Sequence, residues 1–304
     1  MRIKSSNIVS IKSIDELHRK LALGKPKHPL ISLHRYENLP QMLLQSPLKL
    51  TTDLYQITLK IDSDCRLNYG QREYDFNEGI LSFFAPRQIS IVDAEKLLPP
   101  SGWLISIHPD FMNSYPLAIK IKEYGFFHYS TNEALIMSEE EENSMETIFK
   151  NLEREYKLPI DNSTQDVLIN HIELLLTYAN RYYKRQFITR KHTTHKLLVK
   201  VEIILNTYFS NAVNKKLPTT EWIAEQLHIS PKYLSDSLKQ LTGKSLQHHI
   251  HEKLIERAHE LLGSTDLSIA EIAYQLGFEY PQSFNKLFKN KTQQTSSQYR
   301  ENLN

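Results

Sequence analysis

The side chains in this chain best suited to chemistry are its histidines, and the first question is whether they could hold a metal. His248, His249 and His251 crowd one short stretch, and His248 and His251 share a helix face. A metalloprotease helix needs His-Glu-x-x-His. His251 and Glu252 supply its first half, but Ile255 stands where the second histidine belongs. His192 and His195 form no better set. Cys65 is the only cysteine, which excludes an intrachain disulfide and a cysteine-based zinc site. A metal-dependent β-barrel enzyme would gather histidine and glutamate on neighbouring strands, yet no histidine lies between Leu50 and Gly102. We therefore expect no catalytic residue, no metal and no cofactor, and so no enzyme. A cupin-type metalloenzyme with helical additions is the alternative, and it lacks its ligands.

Charge points elsewhere. Net charge is only +2, but from Arg181 to Lys200 there are seven Lys/Arg and no acid, and from Tyr280 to Arg300 four and no acid. One such run reads as a solvated linker or helix face. Two in the C-terminal part of one chain favour an anionic partner. The N-terminus lacks the apolar core of a signal peptide. The longest apolar patch, "IELLLTYA", falls far short of the ~20 residues that span a bilayer. These features predict a cytoplasmic protein with no membrane partner.

The elements that must position these residues change period along the chain. The 304 residues suffice for two domains, and a hydrophobic content of 40% supports ordinary buried cores. From about Pro29 to Pro109 the pattern is mostly strands. "LYQITLKI" (Leu54–Ile61) alternates, and "LNYGQREYDF" (Leu67–Phe76) reads as a hairpin turning near Gly70, with Leu67, Tyr69, Tyr74 and Phe76 on one face. "GILSFFAP" and "GWLISIHP" are short apolar runs that stop at proline. Together they predict a small barrel or sandwich. Ser138 with Glu141 then has capping-box spacing, and Met145, Ile148, Phe149, Leu152 and Tyr156 follow at helical spacing. "LPIDNST" breaks that helix, and Ser163 or Thr164 can cap the next, which runs to about Lys184. Its apolar content (Val167, Leu168, Ile169, Ile172, Leu174, Leu175, Leu176) exceeds what one buried face needs, so a second subunit is expected to cover the excess.

A near-repeat dominates the C-terminal part. "IAEQL" (Ile223–Leu227) returns as "IAYQL" (Ile272–Leu276), 49 residues on. Thr219 or Thr220 can cap the first unit, and Ser268 with Glu271 caps the second. Ala224 and Ala273 sit between the inward Ile and Leu, where a second helix can cross at close range. Each unit continues through a tight turn, with Gly277 free to take positive φ in the second, into another polar, acid-poor helix. Short helix, turn, second helix is the helix-turn-helix pattern, whose second helix enters a DNA major groove. The helix from about Ser245 to Leu262 joins the two units, with Leu246, Ile250, Leu254, Ala258 and Leu261 inward. Its length of ~27 Å suits a spacer between recognition helices one DNA turn apart, ~34 Å.

At this point a family resemblance is plain. "SPKYLSDSLKQLTGKS" (Ser230–Ser245), Ala258 with Leu261 and Leu262, "SIAEIAYQLGF" (Ser268–Phe278), "FNKLFK" (Phe284–Lys289) and "TSSQYR" (Thr295–Arg300) resemble the DNA-binding domain of the AraC/XylS family of bacterial transcription regulators. The resemblance covers about a third of the chain. It implies an α+β protein: an N-terminal cupin-like β-barrel with following helices, then an all-α domain with two helix-turn-helix units. The implied domains are a β-rich sensor at 1–137, a helical dimerisation region at 138–187 and the DNA-binding domain at 188–304. The implied function is a sequence-specific DNA-binding transcription regulator, modulated through its N-terminal domain by a ligand or a protein partner. Double-stranded DNA and a second copy of the chain are the expected partners, and the resemblance admits a small-molecule effector and RNA polymerase.

By the family's pattern the groove-facing positions are Lys232, Ser235 and Asp236 in the first unit and Gln282, Asn285 and Lys286 in the second. Gln and Asn suit adenine, and Lys suits guanine. Ser230, Lys239, Lys289 and Lys291 are the candidates for phosphate contacts, which position without specifying. Tyr55, Tyr69, Tyr74, Phe83 and Trp103 could line an effector pocket, although a packed core is their commoner use. The chain departs from the pattern in places. Gln293 and Ser296 replace a glycine and a proline, His228 stands where glycine is common, and Asp236 and Lys286 stand where arginine often does. An acid facing DNA repels phosphate but can accept from a cytosine amino group.

Overall fold

The computed structural model describes residues 8–39, 48–61, 67–69, 72–74, 79–92, 101–130, 133–189, 191–210 and 216–302. The chain divides into two compact units, Met1–Gln186 and Phe187–Asn304. In chain order the first holds β1 (Ile8–Ile11), α1 (Ile14–Lys20), β2 (Ile31–Arg35), β3 (Leu48–Thr52), β4 (Tyr55–Ile61), β5 (Leu67–Tyr69), β6 (Arg72–Tyr74), β7 (Ile80–Phe84), β8 (Ile89–Val92), β9 (Ser101–Ile107), α2 (Leu117–Lys120), β10 (Leu135–Ile136), α3 (Glu139–Lys157) and most of α4 (Thr164–Thr189).

Alternation builds the main sheet, ordered β10-β7-β4-β9-β2 and antiparallel throughout. Strand register sets Leu33, Ile57, Leu59, Leu81, Phe83, Trp103 and Ile105 on one face, and all are buried. Trp103 packs on Phe149 of α3, and Phe83 meets Phe126 at 4.4 Å and Tyr183 of α4 at 6.4 Å. Each such side chain contributes about 1.5–3 kcal/mol by leaving water. Gly102 lets β9 lie close to β4. Its φ is 130°, and a Cβ there would come within 2.0 Å of the Leu59 carbonyl oxygen.

The opposite face of the same sheet is polar. Register lines up Ser32, Ser106 and Gln56 in one row and His34, Leu104, Thr58 and Ser82 in the next. Ser32, Ser82, Ser106 and Thr58 are nonetheless buried. His18 of α1 reaches this face. Its Nδ1 donates to the Gly24 carbonyl oxygen at 2.6 Å, and its Nε2 faces Ser32. Ser32 Oγ stands 2.8 Å from that Nε2 and 2.6 Å from His34 Nε2.

The described strands do not close into the expected barrel. β1, β3 and β8 form a separate three-stranded sheet, and β5–β6 a hairpin of its own with Leu67 opposite Tyr74. β10 is only two residues long and runs at once into the Ser138 cap of α3, so that edge of the main sheet stops where a helix begins. Gly70 and Phe76, and the side chains of Leu67, Tyr69 and Tyr74, lie outside the described residues.

The start of α3 is as expected, whereas α4 is entered through Asp161 rather than a Ser163 or Thr164 cap. Ser138 and Glu141 form the reciprocal capping box of α3. The Asp161 carboxylate accepts the Ser163 and Thr164 N–H groups, both at 2.8 Å, at the start of α4. The basic stretch read as a linker is helical on both sides of residue 190, since α4 runs to Thr189 and α5 (Lys191–Ser210) follows. It holds neither glycine nor proline, and Lys, Arg, Gln and Leu are good helix formers. The apolar excess of α4 is largely covered already. Of the seven residues that suggested it, Leu168, Ile169, Ile172, Leu175 and Leu176 are buried, Val167 is half-buried and Leu174 is exposed, at 44%.

The second unit continues with α6 (Thr220–Leu227), α7 (Pro231–Thr242), α8 (Leu246–Ser264), α9 (Ile269–Gln275), α10 (Pro281–Thr292) and α11 (Ser296–Glu301). One apolar cluster joins them, from Val201 and Leu205 of α5 through Ile223, Leu234, Leu254, Ala258 and Ile272 to Phe284 and Phe288. Among the described residues no helix is long and apolar enough to cross a membrane.

Candidate nucleic-acid interface

The repeated pentapeptides produce the same local geometry twice. Ala224 and Ala273 are fully buried, and each carbonyl accepts from the residue just past its turn, Ile229 N at 3.1 Å and Phe278 N at 3.0 Å. Both turns use one left-handed residue, His228 at φ 55° and Gly277 at φ 94°. Each following helix then opens on proline, Pro231 or Pro281, whose missing N–H costs nothing in a first turn. The entries differ in one respect. Ser230 caps α7 by accepting from Tyr233 N at 3.2 Å, whereas Tyr280 gives α10 no side-chain cap.

Packing decides which side of each second helix is presented. Tyr233, Leu234, Ser237 and Leu238 of α7 turn inward, as do Phe284 and Phe288 of α10. Lys232, Gln282, Asn285 and Lys286 are exposed, and Ser235 and Asp236 are half-buried. All six expected groove-facing residues are thus on the sides left free by the core. Lys232 Nζ donates to Asp236 Oδ1 at 2.9 Å, an ion pair one turn along the helix. Asn285 Oδ1 accepts from the buried Ser296 hydroxyl at 2.6 Å, so α11 holds this amide in place. Of the expected phosphate contacts, Lys239, Lys289 and Lys291 are exposed, while Ser230 is buried and occupied as a cap. The i,i+4 spacing of Lys232 and Asp236 was the available sequence signal for their pairing. Nothing local marks Ser296 as the partner of Asn285. His248 lies 3.1 Å from Glu252 Oε1, and no group of three ligand side chains occurs among the described residues.

Of the residues expected around an effector, Tyr55 and Phe83 both pack on Phe127, at 5.2 and 5.3 Å, and Trp103 has other ring partners. Tyr55 borders an open cleft of about 620 Å³ beside Arg87, His108, Lys122 and Phe127. Phe83 is packed among Phe126, Phe127 and Tyr183. Trp103 lies between Phe149 and the Arg35 guanidinium, 4.5 Å above its ring. The buried serines and threonine of the main sheet, Ser32, Thr58, Ser82 and Ser106, are on its other face.

Residues 223–302 match the family model described as a helix-turn-helix domain. Residues 223–302 form an AraC-type helix-turn-helix domain. The chain is 33% identical over 112 residues to an uncharacterized HTH-type transcriptional regulator, YfiF, of Bacillus subtilis, covering 37% of this chain and 33% of that one. It is 32% identical over 85 residues to the HTH-type transcriptional activator RhaS of Escherichia coli, covering 28% and 29%. The AraC-type domain is also similar to the solved C-terminal domain of AraT, a response regulator from Geobacillus stearothermophilus, at 33% identity over 35% of this chain and 84% of that one, with a TM-score of 0.32. The chain spans about a third or less of the first curated relatives it matches.

Proposed function

We propose that the protein is a sequence-specific DNA-binding transcription regulator. On this reading α7 and α10 enter successive major grooves, with Lys232, Ser235, Asp236, Gln282, Asn285 and Lys286 toward base edges. Lys239, Lys289 and Lys291 meet phosphates. The observation that carries it is the duplicated turn with its polar outer faces, joined by α8, whose 19 residues make a stiff spacer of about 28 Å. Selection of fragmented genomic DNA with the purified full chain tests it. Recovery of a shared motif with two half-sites about one helical turn apart is expected. Binding that is indifferent to sequence would overturn it.

The first unit acts as the sensor in this proposal. The candidate effector position in this reading is the buried polar face of the main sheet, whose hydroxyls suit an uncharged, hydrogen-bonding molecule. Ser106 Oγ, on a residue 1% exposed, has no hydrogen-bond partner among the described residues, and such a group is costly to leave empty-handed. Thermal shifts measured against a panel of neutral polar metabolites test this. Ser106→Ala should abolish any shift found, and a shift unaffected by it would place the effector elsewhere.

A further inference from the structure

We infer that Lys232 and Asp236 act as one unit that reads a cytosine–guanine base pair, an inference that rests on α7 entering a major groove as proposed above. The two side chains stand one helical turn apart, with Nζ and Oδ1 separated by 2.9 Å. The pair is formally neutral. Asp236 held this way does not confront phosphates as a bare anion, and Lys232 is not spent as a phosphate anchor. What the helix presents is a donor beside an acceptor at one hydrogen-bond length. A C·G pair offers the complement. The cytosine N4 amino group is a donor, and the guanine O6 beside it is an acceptor, about 2.9 Å apart because they bond each other. Laid edge to edge, Asp236 accepts the outward N4–H and Lys232 donates to O6. An ammonium has three N–H groups and a carboxylate about four lone-pair sites, so their mutual bond survives the contact.

The order of groups along the groove selects among base pairs. An A·T pair also places a donor, N6, beside an acceptor, O4. Its donor, however, lies next to adenine N7, whose lone pair repels a carboxylate, and its acceptor lies next to the thymine methyl, which crowds the ammonium. In C·G the neighbour of the donor is a cytosine C–H, and the neighbour of O6 is N7, a second acceptor for lysine. A fixed direction of α7 in the groove then also fixes which strand carries the cytosine. The second unit has no counterpart, because Gln282 and Lys286 stand at the matching positions, offset by 50 residues. The two half-sites are therefore read by different chemistry.

Site selection from random duplex DNA with the full chain tests the inference. The wild type should recover one C·G column in one half-site. Asp236→Ala should erase that column, with a loss of preference of about five- to a hundredfold, and leave the remaining columns in place. Asp236→Glu, which keeps the acceptor, should retain cytosine. A motif whose columns all survive Asp236→Ala overturns the inference while leaving the DNA-binding reading intact. So does Asp236→Ala tightening binding to matched and scrambled sites alike, which would show a carboxylate that only repels phosphate. A wild type that selects no motif overturns the DNA-binding reading and this inference with it.

Discussion

Lys286 and Lys289 sit three residues apart on α10, yet their loss should look different. Lys286→Ala is expected to cost about 1–3 kcal/mol on the best site and to relax preference at one or two base pairs. Lys289→Ala should weaken all sequences alike and lower the salt slope by about 1. Anisotropy titrations of both variants on matched and scrambled duplexes, across a salt series, separate the two outcomes. In the first unit His34 makes a residue-scale prediction about pH. Burial, and then the neighbouring His18, lower its pKa to about 4 from the ordinary 6.5. The folded state thus keeps His34 neutral while the unfolded chain takes up a proton below about 6.5. The stabilisation is complete above that pH and drains away as pH falls toward 4. Thermal midpoints should drop between pH 7 and pH 5, and His34→Gln should flatten that dependence. An equal drop in the variant would locate the effect at other groups.

At the scale of elements, the two helix-turn-helix units are the same device built with different quality. His228 occupies a left-handed conformation that glycine occupies in the second unit, at a cost of roughly 1–2 kcal/mol for an L side chain. His228→Gly should therefore stabilise the domain by about 1 kcal/mol in denaturant unfolding, despite the added chain entropy of glycine. The second unit has the opposite defect, an uncapped α10. Tyr280→Ser should supply a cap like Ser230 and add about 0.5–2 kcal/mol. A loss of stability in either variant would mean that the native side chain makes a contact worth more than the local correction. The basic run also belongs to this scale. Charge alone suggested a linker, but a run with neither glycine nor proline to break it carries helix up to Thr189 and again from Lys191.

For the whole molecule, a compact second unit beginning at Phe187, with one continuous apolar cluster of its own, predicts that residues 187–304 fold in isolation. This fragment should bind the same sites as the full chain. If the first unit dimerises the protein, the fragment should bind more weakly because avidity is lost. Circular dichroism and light scattering of fragment and full chain check both parts, and an unfolded fragment would put the boundary elsewhere. The case for dimerisation through α4 is narrower than its composition suggests. Five of the apolar side chains that called for a second subunit are buried within their own unit, which leaves Leu174 as the exposed anchor to test by Leu174→Glu.

The capping boxes and the duplicated motif were legible in the sequence because they are settled within a few residues, whereas the end of α4 was not. The boxes of Ser138 with Glu141 and Ser268 with Glu271 close over three positions, and Thr219 reaches only to Trp222. The inward alanines and the polar outer faces of α7 and α10 follow from a period of 3.6 and need no distant partner. The pairing of strands far apart in sequence was not legible. Alternation gives a strand two faces without saying what covers either, so the sequence could not tell that Tyr55 and Phe83 share Phe127 while Trp103 packs on Phe149. Only register across β2, β9, β4 and β7 gathers Ser32, His34, Ser106, Thr58 and Ser82 onto one buried face. Only the docking of α11 commits Asn285 to Ser296. Sequence determined what was local, because short-range hydrogen bonds and helical periodicity are encoded by neighbours. Tertiary structure decided which polar groups are buried together, because that depends on surfaces meeting across many residues of chain.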